Sequence, residues 1–348
     1  AAIRRGIEAN PAAPQGYTEY GRLLMYADRD PEAEVQFQKA IATDGTDIEA
    51  REAIAEFYVA SRQLPKAEQA YIELVRLQEN SPESRLELAD FYHKADRGDD
   101  AVGTLEEILR DSPTYVLARY KLAEIYIERR DPAKVNEQLD ALFKVNDSDI
   151  QALTLRARLN MQQSKPEEAV KDIEEVLKKY PSDRDSLFLM AQARLAMGQA
   201  DHANAFIADL ERYHPTYLKT GLLKIQGAFA AGDSQAALKL SNELLDKANT
   251  VQPNADQDPE AIQDIRVRAI TSRGLAFLDL GNLAGARIEL SNVVTMSPRS
   301  SSAVVNLAKV SAAEKNFTGA LELYEKALAL DARNFDAMSG AEIGRAHV

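Results

Sequence analysis

Residues 82–115 read PESRLELADFYHKADRGDDAVGTLEEILRDSPTY, and the fold turns on one small residue in this stretch, Ala101. Counting back by 34 lands on Ala67 and Ala33, and counting forward lands on Val135 and then on Ala169, Ala203 and Ala237. The interval then lengthens once to 49, at Ala286, and returns to 34 at Ala320. Eight of the nine slots hold alanine, a regularity that alanine's abundance and its preference for helices do not produce by chance. A fixed period of this length marks an array of like helix-turn-helix units, each burying its apolar face against its neighbours.

An alanine recurs at that register because two antiparallel helices cross there most closely. A side chain that stops at Cβ lets the backbones approach, and leucine in its place would cost about 1–3 kcal/mol by overpacking. The rest of the unit repeats with it. First helices carry Tyr17-x2-Tyr20-Gly21, Ile54-Ala55-x2-Tyr58, Leu88-Ala89-x2-Tyr92, Leu122-Ala123-x2-Tyr126 and Gly274-x2-Phe277; second helices carry Ala33-x3-Phe37, Ala67-x3-Tyr71 and Ala320-x3-Tyr324. Pro113, Pro181, Pro215 and Pro298 fall where a second helix should end, and Pro11 does so for a partial unit before them.

On these residues the chain resembles the tetratricopeptide repeat (TPR) family over nearly its whole length. The departure is the absence of tryptophan: Arg51, Arg85 and Arg119 fill the slot where that family has its bulky aromatic. Stacked in register, they read either as an anion ladder or, the favoured reading, as stems packed at the helix seam with heads reaching acids such as Glu49, Glu52, Glu83 and Glu87. The resemblance implies an all-α fold, a right-handed α-α superhelix (solenoid) of stacked TPR hairpins.

The alanine ruler lays out a continuous array over 1–341. A partial repeat, 1–13, precedes full repeats 14–47, 48–81, 82–115, 116–149, 150–183, 184–217 and 218–251. An insertion at 252–266 precedes repeats 267–300 and 301–334 and a partial repeat, 335–341. Turns such as Asp96-Arg97-Gly98-Asp99, Met197-Gly198, Gly232-Asp233 and Gly281-Asn282 offer glycine or a short polar residue where a helix must stop. Pro31, Pro65, Pro132 and Pro166 suit the start of second helices, where a missing N–H is harmless. Around the insertion, Pro253, Asn254 and Asp256 read as a loop projecting at 250–258; Asp258-Pro259-Glu260 then reads as a helix start, giving an elongated helix pair at this joint.

The chain lacks an initiating methionine, and 1–10 read as the tail of a second helix, so it is expected to start mid-array, as a piece of a longer bacterial protein. Residues 342–348, EIGRAHV, break the pattern and resemble a translated sequencing adapter, so they are read as a non-native tail and set aside.

Composition narrows the function. The chain has no cysteine, which removes disulfides, thiolate catalysis and Cys-ligated metals but leaves cytoplasm and periplasm both open. No apolar run approaches the length of a membrane span. A net charge of −13 argues against nucleic acid and anionic membrane as partners. The charge is uneven: residues 1–174 carry 23 Lys and Arg against 34 Asp and Glu, the remainder 19 against 21. His93, His202, His214 and His347 lack a metal-binding spacing, and no phosphate-cradling glycine loop or nucleophile motif appears. Adjacent pairs such as Glu106-Glu107, Glu167-Glu168 and Glu174-Glu175 splay to different sides of a helix. No catalytic residue, metal or cofactor is assigned, and the protein is read as not an enzyme.

The family resemblance also implies where binding would occur: first helices line a concave groove. Carried onto this chain, the groove offers Glu49, Glu52, Glu56, Glu83, Asp90 and Glu124, with Glu128 one slot further, then Arg158, Lys219, Arg268 and Lys309 among Phe188, Leu222 and Phe229. An acidic strip gives way to apolar residues with scattered cations. The Lys and Asn that chaperone-binding members use to clamp a terminal carboxylate are replaced by Glu52, Glu56 and Leu86. The expected function is a scaffold that holds a peptide or protein segment, with a basic or mixed-charge partner suiting the acidic strip; solubilisation is the competing role for the acids. The texture resembles the long bacterial TPR proteins of cell-envelope and exopolysaccharide-export assemblies. The alternatives are the regulatory or substrate-docking arm of a larger enzyme, and a spacer that binds nothing specific.

Overall fold

The computed structural model describes residues 2–253 and 257–347, with side chains to Arg345. Among the described residues there are twenty α-helices and no β-strand. The chain divides into two compact units, Ala1–Leu155 and Arg156–Val348.

In the first unit α1 (Ala2–Ala9) is followed by four antiparallel hairpins: α2 (Pro14–Tyr26) with α3 (Asp30–Thr43), α4 (Ile48–Ala60) with α5 (Leu64–Leu77), α6 (Pro82–Lys94) with α7 (Gly98–Asp111), and α8 (Val116–Glu128) with α9 (Pro132–Val145). Helix α10 (Ile150–Gln162) contains the division between the units. The second unit continues with α11 (Pro166–Lys179), then α12 (Arg184–Ala196) with α13 (Ala200–Tyr213), α14 (Lys219–Ala230) with α15 (Ser234–Thr250), α16 (Pro259–Asp279) with α17 (Leu283–Met296) and α18 (Ser301–Ala313) with α19 (Phe317–Leu330), ending in α20 (Phe335–His347). That last helix runs through the segment set aside as a tail, and helicity says nothing of the segment's origin. In each unit a second helix also packs on the first helix of the next hairpin, as α3 does on α4 and α13 on α14. First helices meet directly as well: α2 with α4, and α12 with α14, α14 with α16, α16 with α18 and α18 with α20. This is the stacking of a helical-repeat solenoid.

Each hairpin turn is the same hydrogen-bonded device. One residue adopts a left-handed backbone, the next N–H reaches back five residues, and the orphan carbonyls of the first helix are satisfied. In the second hairpin Arg62 has φ 57°, its N–H donates to Val59 O at 3.0 Å, and the Gln63 N–H donates to Tyr58 O at 2.8 Å. The left-handed residue recurs at Asp28, Arg62, Asp96, Arg130, Ser164, Gly198, Gly232, Gly281 and Lys315. Glycine or a short polar residue is expected at these turns; glycine takes the left-handed slot at three of them, whereas between α6 and α7 the stop is Asp96, and Gly98 opens α7. Several first helices begin on side-chain caps: Asp47 accepts from the Ala50 N–H at 2.8 Å, Asp183 from Ser186 at 2.8 Å and Ser300 from Ala303 at 3.2 Å.

The recurring alanines, and Val135 in their register, are at most 1% exposed. A second small position faces the large residues of the second helix: a Cβ on Gly21 would lie 2.6 Å from the Phe37 ring, and one on Gly274 2.7 Å from Leu290. In hairpin α14–α15 the sizes are exchanged. Ile225 stands in the register of Gly21 and Gly274, and Ser241, its hydroxyl donating to Ala237 O at 2.7 Å, stands in that of Phe37 and Leu290.

The three in-register arginines do pack at the seam, but their heads do not turn to the acids of their own helices. Arg51 donates to Glu73 and to Gly45 O, Arg85 to Asp111 at 2.6 Å, and Arg119 to Gln138 Oε1 at 3.1 Å and Pro113 O at 2.9 Å. An antiparallel hairpin sets its second helix beside the first, so the side-chain partners come from that second helix, while the carbonyls of Gly45 and Pro113 come from the preceding link.

At the insertion, α15 and α16 are 17 and 21 residues long, the elongated pair expected. Asp258 caps α16, accepting from the Ala261 N–H at 2.7 Å, and Arg266 donates to Ala248 O at 2.7 Å, closing the end of α15. The intervening loop does not simply project. Gln257 is 3% exposed and folds onto the α13–α14 link, accepting from the Leu218 N–H and donating to Thr216 O, each at 2.8 Å. Asn254 and Asp256 lie outside the described residues.

Candidate functional site

Helical periodicity places Glu52 and Glu56 of α4, and Glu83, Glu87 and Asp90 of α6, on one side of their helices. Tyr71 of α5 joins them, its ring stacked on Phe91 at 5.2 Å. Burial pushes the Tyr71 phenol up to about 12, and the charges of Glu56, Glu87, Asp90 and Glu52 push the same way. The charges of those four carboxylates therefore act on one half-buried tyrosine. Loss of solvation raises the Glu52 carboxyl above its usual range, with Glu56 and Glu49 adding to it. Glu87 is raised likewise, by desolvation first and then by Glu52, Glu56 and Asp90. Among the described residues, no lysine or arginine forms an ion pair with Glu52, Glu56 or Glu87.

The other acids of the expected strip, and Asp90 within the group, have partners of their own. Glu49 accepts from Arg22 of α2 at 2.9 Å. Asp90 pairs with Lys121 of α8 at 3.1 Å, and Glu124 lies 3.9 Å from the same ammonium. Glu128 lies 3.3 Å from His93 Nε2. Glu83 faces Tyr115, whose phenol is raised by burial and by that carboxylate. Glu49, Glu83 and Glu124 thus flank the group around Tyr71 without joining it. Glu87 and Tyr71 were absent from the expected set, although Glu87 falls one helical turn from both Glu83 and Asp90.

In the second unit Arg158 is half-buried on α10. Phe188 of α12 is half-buried and meets the ring of Tyr217 edge-on at 6.0 Å. Leu222 is buried in a core cluster with Leu218, Ile225, Leu244 and Ile265, and Phe229 packs against that cluster. Leu222 therefore supplies core rather than surface. Lys309 pairs with Asp336 at 2.8 Å.

A depression of about 410 Å³ between α3, α4 and α5 has an apolar floor of Ile41, Ile54 and Tyr58. Its rim charges are already matched, Arg51 with Glu73 and Lys66 with Glu34 at 2.7 Å, which leaves little to recognise a ligand. Among the described residues no group of three His, Asp or Glu could hold a metal ion, and no helix is long and apolar enough to cross a membrane.

No curated protein matches the sequence significantly. Among solved structures, yeast Tom70 aligns with a TM-score of 0.60 at 12% identity, covering 99% of this chain and 84% of its own. A tetratricopeptide repeat protein from Parabacteroides merdae aligns at 0.56 and 14% identity, covering 74% and 98%. PilW, a widely conserved type IV pilus biogenesis factor, aligns at 0.51 and 16% identity, covering 62% and 94%. At such identities these likenesses concern the fold. Two family models described as tetratricopeptide repeat match the sequence, one at residues 92–159 and the other at 53–116, 154–215 and 271–337. With most of its length matched and its hairpins stacked as that motif requires, the chain belongs to the tetratricopeptide repeat family, whose repeats form protein-interaction scaffolds.

Proposed function

We propose that this protein is a non-enzymatic scaffold whose first-helix face at α4 and α6 holds a basic or mixed-charge segment of a protein partner. The observation that carries this reading is the set of three carboxylates without an ion pair, Glu52, Glu56 and Glu87, whose charges act on Tyr71, with two of the carboxyls raised by desolvation and mutual repulsion; Asp90 beside them is engaged by Lys121. Acids that only keep a protein soluble spread out or pair. Carboxylates held together against their repulsion cost stability, and such costs concentrate where a ligand relieves them. A lysine or arginine entering above Tyr71 would neutralise the cluster and rest its apolar stem on the ring.

A place in a bacterial cell-envelope assembly belongs to the same reading and is supported by the repeat texture of the sequence alone. Retention of partners by the immobilised wild type and by a Glu52→Lys/Glu56→Lys variant tests the acidic face. Partners held by that face should be lost from the variant and should leave the wild type as salt rises. Unchanged retention of every partner would end the proposal.

A further inference from the structure

A second set of recognition groups converges in the other unit, on the link between α13 and α14. Tyr217 meets Phe188 in a T-shaped contact, and the Arg184 guanidinium lies over the Tyr217 ring, 5.0 Å from the centroid. Arg268 of α16 is close enough that its charge, with that of Arg184, acts on the phenol; Asp185 acts in the opposite sense. Burial dominates and pushes the phenol up to about 12, so Tyr217 stays a hydrogen-bond donor throughout the physiological range. Its hydroxyl has no hydrogen-bond partner among the described residues, and the side chain is only partly covered. Among the described residues Arg268 has only the loose contact with Asp264 at 3.7 Å. Asp185 is engaged by Arg184 at 3.1 Å.

The backbone on both sides of Tyr217 is fixed by one buried side chain. Gln257 accepts from the N–H of Leu218 and donates to the carbonyl of Thr216. Neighbouring first helices begin on caps supplied by their own sequence, such as Asp183 for α12 and Asp258 for α16; α14 has no side-chain cap of that kind and is closed by a residue 39 positions away. The insertion thus holds in place Tyr217, which carries both an aromatic ring and a hydroxyl donor, and this is the pre-organisation a binding site requires.

The geometry points to a second docking surface, built on Tyr217, Arg184, Arg268 and Phe188, for an acidic side chain of a protein segment with an apolar residue beside it. The carboxylate would accept from the Tyr217 hydroxyl and from a guanidinium, which are charge-assisted bonds, and the apolar neighbour would lie on Phe188. A protein segment is favoured over nucleic acid because the cations are few and the chain as a whole carries −13. This surface is separate from the acidic face and does not depend on it.

Fluorescence anisotropy with a labelled, C-terminally amidated Ser-Phe-Glu-Phe-Ser peptide tests the assignment. Its counterparts are the same peptide with Gln for Glu and a single-stranded oligonucleotide. The Glu peptide should bind the wild type roughly tenfold more tightly than the Gln peptide, the scale of one charge-assisted contact. Arg268→Glu, at an exposed position, should abolish that preference. Tyr217→Phe, which keeps the ring packing, should reduce it severalfold, and Glu52→Lys/Glu56→Lys should leave it unchanged. Equal binding of the Glu and Gln peptides, indifference to both Arg268→Glu and Tyr217→Phe, or preference for the oligonucleotide would overturn the proposal.

Discussion

Residue by residue, the hairpin turns show how position can override residue type. The slot that must be left-handed holds Gly198, Gly232 and Gly281, but also Arg62, Arg130 and Lys315, whose Cβ atoms are strained there. Arg62→Gly or Arg130→Gly should therefore stabilise its hairpin by about 0.5–1 kcal/mol, a gain tempered by the extra freedom of glycine in the unfolded chain. Urea unfolding midpoints would register it, and a fall in midpoint for either variant would contradict this account. The opposite sign is expected at Ala101, which is fully buried. Ala101→Leu should cost about 1–3 kcal/mol, with amide exchange accelerating first in α6 and α7, because repeats of this kind need not unfold as one body.

Among the elements, the longer pair α15 and α16 could be anticipated from the break in period, but the anchoring of its loop could not. Glutamine has no preferred place in such a loop, and contact between Gln257 and the α13–α14 link spans about forty positions of sequence. Gln257→Ala would leave the buried Leu218 N–H without its partner and release the Thr216 carbonyl, a loss of about 1–3 kcal/mol. Hydrogen exchange should quicken at Leu218 while the amides of α4 and α6 stay as they were. Equal protection of Leu218 in variant and wild type would mean that the clasp contributes nothing. The seam arginines teach a similar lesson: their slot was evident from sequence, whereas Glu73, Asp111 and Gln138 as their partners follow from antiparallel pairing.

Across the whole molecule, ionisation should act in two directions. Glu34, Glu68 and Glu314 have carboxyls held below the usual range, by hydrogen bonds from Lys66, Arg97 and Arg287 respectively. Each binds protons more weakly when folded, so it contributes stability that is full above the unfolded-state pKa of about 4.3 and lost as pH falls through the lowered folded value. Glu52 and Glu87 have the reverse sign. Their raised carboxyls burden the folded state at neutral pH, and the burden lifts as protonation proceeds below that raised range. Glu87→Gln should thus melt above the wild type at pH 7, with the gap closing toward pH 4. Melting curves across that range would show it; a gap that is constant with pH would refute the repulsive cluster.

The 34-residue period, the alanine register, the caps and the prolines by themselves determined that the chain folds into stacked helical hairpins. Each of those signals acts within one hairpin or between neighbours, where position in the chain nearly decides position in space. They also located the acidic side of the first helices. Only tertiary structure decided which acids meet, that Glu87 and Tyr71 join them while Glu49 and Glu83 stand apart, that Leu222 is core, and that Gln257 closes α14. Those facts depend on side-chain reach and packing between residues far apart in the chain, and a repeating pattern records neither.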